Sequence, residues 1–426
     1  MGASRRGVIL GAGALAAATP AAAADAGPEA AWFQAVLERY AGFGIKASGG
    51  AGDTACGAWL ETALAGLGYA SARQAFQVPY AETRTATLAV GDHEAPVCPQ
   101  ALVIATGPGG LSAPLRLAAS EGRLDGAIAL IVLPFRRWVS LAEPAVSGPL
   151  TEAFGRGAAA AVLVTTGPTG EAVALNVSAT TPGFDRPVAV LAPKDAEPFV
   201  AAARTGRAAR LTVDAVSGRR PAFNLIARLD RGAPKTLIVT TPRSGWHACA
   251  AERGSGLAVW LALARGLAAA APGVNLEFVA TSGHEYIYLG GEQYLAHRAP
   301  GPAATRMWVH IGASAAARDW HEFGGRLRPL PSADPQRVLT ATPEVIEAVR
   351  LAFQGISGLE AVYPADRAHA GGELVNVIEA GYAPAIGLYG GHRYFHTAGD
   401  DLRCVSGEMV APVAAAFRAA IAAALT

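Results

Sequence analysis

Histidine and carboxylate side chains follow the ends of apolar segments in the second half of this chain. Eight of the nine histidines lie between His247 and His396. The pair His284-Glu285 comes directly after residues 275–281, an apolar stretch with the length of a buried strand. In open α/β sheets, ligands and catalytic groups lie at the carboxyl ends of the strands. The pair is therefore the first candidate for a catalytic or metal-binding position.

Imidazoles and carboxylates also stand at the ends of three other predicted strands: His247 and Glu252, His310, and His396. The carboxyl ends of parallel strands meet at one edge of a sheet, so we expect these side chains to converge. Imidazole nitrogens and carboxylate oxygens are the ligands of many transition-metal sites. The same composition also suits a hydrogen-bonded polar network without a metal. The residues by themselves leave both interpretations open.

The elements that must position these side chains are strands that alternate with helices. Strands are predicted at 224–229, 235–241, 275–281, 306–311 and 385–389. Helices are predicted at 254–271, 291–297, 343–355, 374–380 and 407–424. This alternation predicts an α/β fold with a mostly parallel sheet and helices on both faces.

The pattern changes between residues 95 and 215. Short apolar strands are predicted there at 127–133, 160–165, 187–191 and 209–213. They alternate with turns rich in Gly and Pro and with two short helices rich in Ala. We expect a separate β-rich domain, inserted between the two parts of the main domain at 25–94 and 216–426.

Composition limits the classes of protein that the chain can belong to. Its 426 residues are 51% hydrophobic, which is ample for a large core, and the formal net charge is +1. A chain so close to neutral is not expected to bind nucleic acid or an anionic membrane as its main partner.

The first 24 residues have the pattern of a twin-arginine signal peptide. Arg5-Arg6 precedes an apolar stretch and an Ala-rich cleavage region at 22–24. Export to the periplasm or secretion is therefore predicted. No later segment reaches about 18 uninterrupted apolar residues, so we expect no stable membrane span after cleavage. In an exported protein, the four cysteines are expected to form one or two disulfides.

Several segments resemble the di-zinc aminopeptidase family, which also includes glutaminyl cyclases. The stretch Leu237-Ile-Val-Thr-Thr241, followed by Glu252-Arg-Gly-Ser-Gly256, is similar to the family's strand, metal loop and helix start. Tyr394-Phe-His-Thr-Ala-Gly-Asp-Asp401 is similar to its His-Thr-x-x-Asp segment. Gly126-Ala-Ile-Ala-Leu-Ile-Val132 resembles part of a protease-associated domain. The resemblance implies an aminopeptidase-like fold over nearly the whole mature chain, with a protease-associated-like insertion at 95–215.

The resemblance also implies a reduced set of metal ligands. Pro242-Arg243-Ser244 stands where the family has a His-x-Asp, so most ligands of its first zinc are missing. The ligands of the second zinc map onto Glu252, Glu285 and His396, with His310 as a further candidate. We therefore expect at most one zinc ion, held in an open three-ligand site.

Catalytic and substrate-binding residues follow from the same resemblance. His284 takes the position of the family's general-base glutamate, and an imidazole can accept a proton near neutral pH. Glu373 lies in the segment that aligns with the family's substrate loop and is the second catalytic candidate. Candidate substrate contacts are Trp246, Arg253, Tyr286 and Tyr394.

These assignments predict an exported, metallopeptidase-like hydrolase that acts on a small peptide or an N-acyl or amide compound. Two alternatives stay open. The chain could be an inactive relative that binds a ligand in the same cleft, or it could use Cys249 as a nucleophile with His247 or His284 as the base.

Overall fold

The computed structural model of the protein describes residues 27–100, 102–180, 184–271 and 273–426. The predicted signal peptide at 1–24 lies outside the described residues. In the described parts, the helices are α1 Pro28–Ala41, α2 Ala51–Ala65, α3 Pro144–Gly155, α4 Glu197–Arg204, α5 Gly254–Ala270, α6 Leu289–His297, α7 Ile346–Ala352, α8 Leu374–Glu379 and α9 Gly407–Leu425.

The strands of the described parts divide into three groups along the chain. The first group is β1 Ala70–Val90, β2 His93–Pro99, β3 Gly107–Leu117, β4 Ile128–Val132, β5 Ala160–Val164 and β6 Val188–Leu191. The second is β7 Ala208–Leu229, β8 Thr236–Pro242, β9 Asn275–Thr281 and β10 Thr305–Ile311. The third is β11 Arg318–Phe323, β12 Arg326–Ala333, β13 Arg337–Ala341, β14 Val362–Pro364 and β15 Ala385–Gly390.

The C-terminal half is built on a sheet with the strand order β7-β9-β8-β10-β15-β13-β14. Its four central strands, β9, β8, β10 and β15, run parallel, and the neighbours β7 and β13 are antiparallel to them. The predicted α/β fold is therefore confirmed, with antiparallel strands next to the parallel core.

Helices cover both faces of this sheet. Side chains alternate between the faces along a strand, so Leu237 and Val239 of β8 pack with α1, α5 and α9, whereas Ile238 packs with α6 and α8. The start of α5 approaches β10 so closely that a Cβ on Gly256 would lie 2.6 Å from the backbone oxygen of Gly312. Glycine at this position therefore allows the loop before α5 to lie at the carboxyl edge of the sheet.

Strands β1 and β7 are long and extend beyond the main sheet. They pair with each other from Ala70 to Ala89, and β7 continues into a second group of strands. In that group β1, β2, β6, β5, β4, β3 and β7 each pair with the next, and β7 returns to β1, so the pairing closes on itself. The strand predicted at 209–213 and the one predicted at 224–229 are thus one element. The assignment of 95–215 to a protease-associated-like domain stays a prediction.

One helix in the described residues, α9, is long and apolar enough to cross a membrane. The same helix supplies Val410, Val413 and Phe417 to the core that also contains α1 and α5. Core packing accounts for its composition.

Candidate active site

The carboxyl ends of β8, β9, β10 and β15 bring the predicted residues to one edge of the sheet. His284 and Glu285 follow β9, His310 lies near the end of β10, and His396 lies in the loop after β15. His396 has a φ of +57°, a left-handed conformation that is uncommon for a residue with a side chain. The convergence predicted from the sequence is present.

His284 and Glu373 form a hydrogen-bonded pair. Nδ1 of His284 lies 3.1 Å from Oε1 of Glu373, and the same oxygen accepts a hydrogen bond of 2.8 Å from the hydroxyl of Thr281. Burial lowers the pKa of His284 well below its usual value, and the charge of Arg253 lowers it further. A neutral His284 that donates from Nδ1 to Glu373 carries its lone pair on Nε2. This tautomer is the one that a general base needs.

A cavity of about 610 Å³ lies beside this pair. His284, His310 and His396 line it, together with Trp138, Tyr288 and Arg337. Its volume is in the usual range for small-molecule sites. A larger crevice of about 800 Å³ lies between α5 and α9, but no histidine or carboxylate lines it. The chemistry of the described residues therefore points to the cavity at the sheet edge.

His310 presents a hydrogen-bond donor to the same region. The indole of Trp308 donates to the hydroxyl of Thr240 over 3.1 Å, and that hydroxyl lies 2.9 Å from Nδ1 of His310. The Thr240 hydroxyl accepts the indole hydrogen, and within the described residues its own proton has no acceptor other than Nδ1, so a neutral His310 carries its proton on Nε2. Burial lowers the pKa of His310 to about 4, which keeps the ring neutral at pH 7. Among the described residues, Nε2 has no hydrogen-bond partner.

The rings of His284 and His310 both lie close to Gly372. Gly372 has a φ of +61°, and a Cβ placed on it would lie 3.6 Å from Cε1 of His284 and 3.7 Å from Nε2 of His310. Glycine at this position leaves the space between the two imidazoles open. Burial raises the pKa of Glu373, the residue that follows Gly372, above its ordinary value.

Glu285 is fully engaged by protein groups. Its Oε2 accepts hydrogen bonds from the hydroxyls of Ser48, at 3.0 Å, and Ser244, at 2.8 Å. Its Oε1 lies 3.4 Å from Nη2 of Arg253. Arg253 is almost completely buried and also donates from Nε to the backbone oxygen of Ser244 over 2.9 Å.

The same Arg253 nitrogen contacts a second carboxylate. Nη2 lies 2.9 Å from Oε1 of Glu252, and Nε2 of His396 lies 3.4 Å from that oxygen. Burial by itself would raise the pKa of Glu252, but the charges of Arg253 and His396 lower it below its usual range. Nδ1 of His396 lies 2.9 Å from the backbone oxygen of Ala174, so this ring is oriented by a contact with the inserted segment.

The predicted zinc ligands Glu252, Glu285 and His396 do not fit around one ion in this arrangement. The guanidinium of Arg253 lies between the two carboxylates, in the place where a shared cation would bind. In the described parts of the chain, two groups bring three donor atoms within 4.8 Å of one another: His392, Asp400 and Cys404, and Cys249, Glu252 and Asp400. Neither group contains Glu285, His396 or His310. Oε1 of Glu252 and Nε2 of His396 lie 3.4 Å apart, and neither atom forms a hydrogen bond within the described residues.

The cysteines differ from the prediction. All four are free thiols, so the expectation of one or two disulfides is wrong. They lie on separate elements: Cys56 on α2, Cys98 on β2, Cys249 after β8 and Cys404 before α9. Burial raises the pKa of the Cys249 thiol well above its usual value, and Glu252 and Asp400 raise it further. A thiol in this environment is a weak nucleophile.

None of the four predicted substrate contacts is among the residues that line this cavity. Arg253 is buried. Trp246 donates from its indole to Oδ1 of Asn176, a residue of the cavity wall, over 3.0 Å and packs edge-on against Tyr286. Tyr286 donates to the backbone oxygen of Pro79. Tyr394 packs against Trp320 in the main core.

Three residues of this region were not predicted from the sequence. Ser48 binds Glu285 from a loop more than two hundred residues away, and Asn176 and Arg337 line the cavity. Ser48 and Asn176 carry no local signal. Arg337 lies between the strand predicted at 306–311 and the helix predicted at 343–355, and no pattern marked it.

Comparisons with known proteins agree with this fold. No protein-family model matches the chain, and no curated protein matches it. Among solved structures, the chain is similar to a peptidase M28 precursor from Shewanella amazonensis, with 20% identity, 92% of each chain covered and a TM-score of 0.71. It is also similar to a zinc aminopeptidase from Bacillus subtilis, with 18% identity, coverage of 92% and 94%, and a TM-score of 0.68. An aminopeptidase from an Aneurinibacillus strain has 17% identity, coverage of 92% and 93%, and a TM-score of 0.66.

The chain therefore has the fold of these aminopeptidases along almost its whole length. The family resemblance seen in the sequence is confirmed at the level of the fold. Its own site contains a His284–Glu373 pair and a buried arginine between two carboxylates.

Proposed function

We propose that the chain is a hydrolase that cleaves an amide bond in a small peptide or an N-acyl compound. The observation that carries the proposal is the His284–Glu373 pair, which faces the N–H of His310 across the glycine at position 372. Similarity to peptidases in fold supports the same class of reaction. The volume of the cavity supports a small substrate.

The roles follow from the tautomers of the two imidazoles. Nε2 of His284 accepts a proton from water as the water oxygen bonds to the carbonyl carbon of the substrate. The oxygen of that carbonyl becomes negative and accepts a hydrogen bond from Nε2 of His310. His284 then gives the proton to the leaving nitrogen as the C–N bond breaks, which yields a carboxylic acid and an amine. Glu373 orients His284 and stabilises its charged form.

The second candidate function is hydrolysis of the same amide bond with the help of one bound zinc ion. It is favoured by Nε2 of His396 and Oε1 of Glu252, which lie 3.4 Å apart and form no hydrogen bond within the described residues, although Oε1 is in an ion pair with Arg253. A zinc aminopeptidase among the similar structures points the same way. The guanidinium of Arg253 opposes it, because the ion would have to displace this group from between the two carboxylates.

Metal analysis together with an activity assay decides between the two candidates. We expect protein made without added zinc to contain far less than one equivalent of metal and to keep its amidase activity after dialysis against a chelator. A stoichiometric ion, with activity lost on chelation and restored by zinc, would establish the second candidate. Absence of amide hydrolysis under both conditions, with specific binding of the same compounds, would instead establish a ligand-binding protein.

We also propose that the protein is exported through the twin-arginine route, because residues 1–24 have the pattern of such a signal. Replacing Arg5 and Arg6 by lysine is expected to keep the full-length chain in the cytoplasm. The measurement is cell fractionation of a bacterial host that expresses each form, with an exported protein of another route as control. Equal export of both forms would contradict the proposal.

A further inference from the structure

The charged groups around the cavity are unusual for a site that would bind a free amino terminus. Among the described residues that line it are one arginine and three histidines, but no aspartate, glutamate or lysine. An α-ammonium group is matched by carboxylates, and none of the lining side chains supplies one. A carboxylate, by contrast, is matched by the arginine.

Arg337 is a buried cation without a carboxylate partner. It is 6% exposed, and its two terminal nitrogens donate to the backbone oxygens of Ala315, at 2.9 Å, and Ser357. Its Nε has no hydrogen-bond partner. Within the described residues, no carboxylate lies at ion-pair distance from it. Burial lowers the pKa of Arg337 to about 10, as expected for a cation that lacks a close counter-charge.

Asp334, the acidic residue with the largest effect on the pKa of Arg337, does not neutralise the Arg337 guanidinium. Asp334 lies three residues before Arg337, but its carboxylate is paired with Arg137 at 2.7 Å. Arg137 also donates to the backbone oxygen of Gly391, a residue of the cavity wall, over 3.2 Å. Glu360 also acts on Arg337 through its charge, but it is exposed and forms no ion pair with Arg337 within the described residues. Arg337 is therefore left without a paired carboxylate on the side of the cavity where β13 begins.

From this distribution of charge we infer that the substrate is an N-acyl amino acid. Its free carboxylate is held by Arg337, and its amide lies between His284 and His310. The inference rests on the proposed hydrolysis and narrows its substrate class. It accounts for the absence of a carboxylate in the cavity, because an acylated nitrogen carries no charge. Trp138, Tyr288 and Tyr389 offer aromatic surface for the side chain of such a compound.

The test compares two compounds that differ only at the carboxyl end, N-acetyl-L-phenylalanine and N-acetyl-L-phenylalaninamide. We expect the wild-type protein to have a kcat/KM that is about 10- to 100-fold higher for the acid, the size of one hydrogen-bonded contact to a charged group. In Arg337→Gln this acid-to-amide ratio is expected to fall to about one. The ratio cancels any general loss of active protein.

Two further variants keep the test decisive. Arg137→Gln frees Asp334 to neutralise Arg337, so it is expected to lower the ratio even if Arg337→Gln does not fold. Arg350→Gln, which removes an exposed arginine paired with Glu347 on α7, is the matched control and is expected to keep the ratio. An acid-to-amide ratio near one in the wild type overturns the inference. So does a ratio that is unchanged in both Arg337→Gln and Arg137→Gln.

Binding separates this inference from the proposed hydrolysis. If calorimetry shows that the acid binds more tightly than the amide and neither is cleaved, carboxylate recognition stands and the proposed hydrolysis fails. If both are cleaved at the same kcat/KM, the hydrolysis stands and the carboxylate recognition fails. Lack of binding by the acid also contradicts the inference.

Discussion

Replacing His284 by alanine is expected to lower kcat for amide hydrolysis by about 10²- to 10⁴-fold, the usual contribution of a general base. Nε2 of this residue is the basic atom that faces the cavity, and Oε1 of Glu373 holds the ring through Nδ1. Glu373→Gln retains an acceptor for Nδ1–H but removes the charge that stabilises the imidazolium, so its loss is expected to be smaller. His310→Ala removes the N–H donor and is expected to cost about 10²-fold.

The pH profile gives an independent readout of the same residue. Burial and the charge of Arg253 lower the pKa of His284 well below its usual value of 6.5. The basic form therefore persists below pH 6.5, and the acid limb of kcat/KM is expected at a lower pH than for a solvated histidine. His321→Ala, at an exposed position on β11, is the control and is expected to leave both rate and profile unchanged. If the His284 and Glu373 variants keep all hydrolytic activity, the enzyme assignment is wrong.

Replacing Arg253 by methionine is expected to lower the free energy of unfolding by about 3–5 kcal/mol, because a buried ion pair loses one partner. Nη2 of Arg253 contacts both Glu252 and Glu285, and all three side chains are almost completely buried. Urea denaturation of the wild type and the variant at pH 7 measures the difference. Arg350→Met, at an exposed position, is the matched control and is expected to change stability by less than about 0.5 kcal/mol.

A double variant separates charge from packing. Arg253→Met combined with Glu285→Gln is expected to recover part of the loss, because the amide oxygen can still accept from Ser48 and Ser244 while one buried charge is removed. The single variant is also expected to take up zinc where the wild type does not, since Glu252, Glu285 and His396 lose the guanidinium between them. A loss below about 1 kcal/mol for the single variant would contradict the role of Arg253 as an internal counter-charge.

The contribution of Glu252 to the stability of the fold is expected to decrease at acid pH. The net pKa of Glu252 is lowered in the folded protein, so the unfolded chain binds a proton at this residue more readily. The stability that Glu252 contributes is therefore complete above the ordinary carboxyl pKa of 4.5 and declines as the pH falls below it. In Arg253→Met this part of the acid dependence is expected to shrink, because the charge of Arg253, the largest of the effects that lower the pKa of Glu252, is gone.

Local sequence patterns were sufficient for most of the main domain. The strand predicted at 275–281 is present with those bounds, and the helix predicted at 254–271 ends one residue earlier. Both segments are apolar and are bounded by polar or glycine residues, so local preference and burial agree. The helix predicted at 343–355 is shorter, Ile346–Ala352, and the strands predicted at 209–213 and 224–229 form one strand. Gly218 and Pro221 lie between the two predicted strands, and pairing with β1 keeps the backbone extended through both residues.

The sequence by itself determined the α/β fold and the edge of the sheet at which His284, Glu285, His310 and His396 meet. These follow from hydrophobic periodicity and from the rule that parallel strands end at a common edge. Only the tertiary structure decided what those residues contact. Arg253 directly follows Glu252 in the chain, yet its position between Glu252 and Glu285 depends on how the loop before α5 meets the end of β9. The pairing of His284 with Glu373, and the proton on Nε2 of His310, likewise depend on contacts between residues far apart in sequence. One guanidinium in that position separates an expected zinc site from a site in which the chain itself supplies the cation that the two carboxylates share.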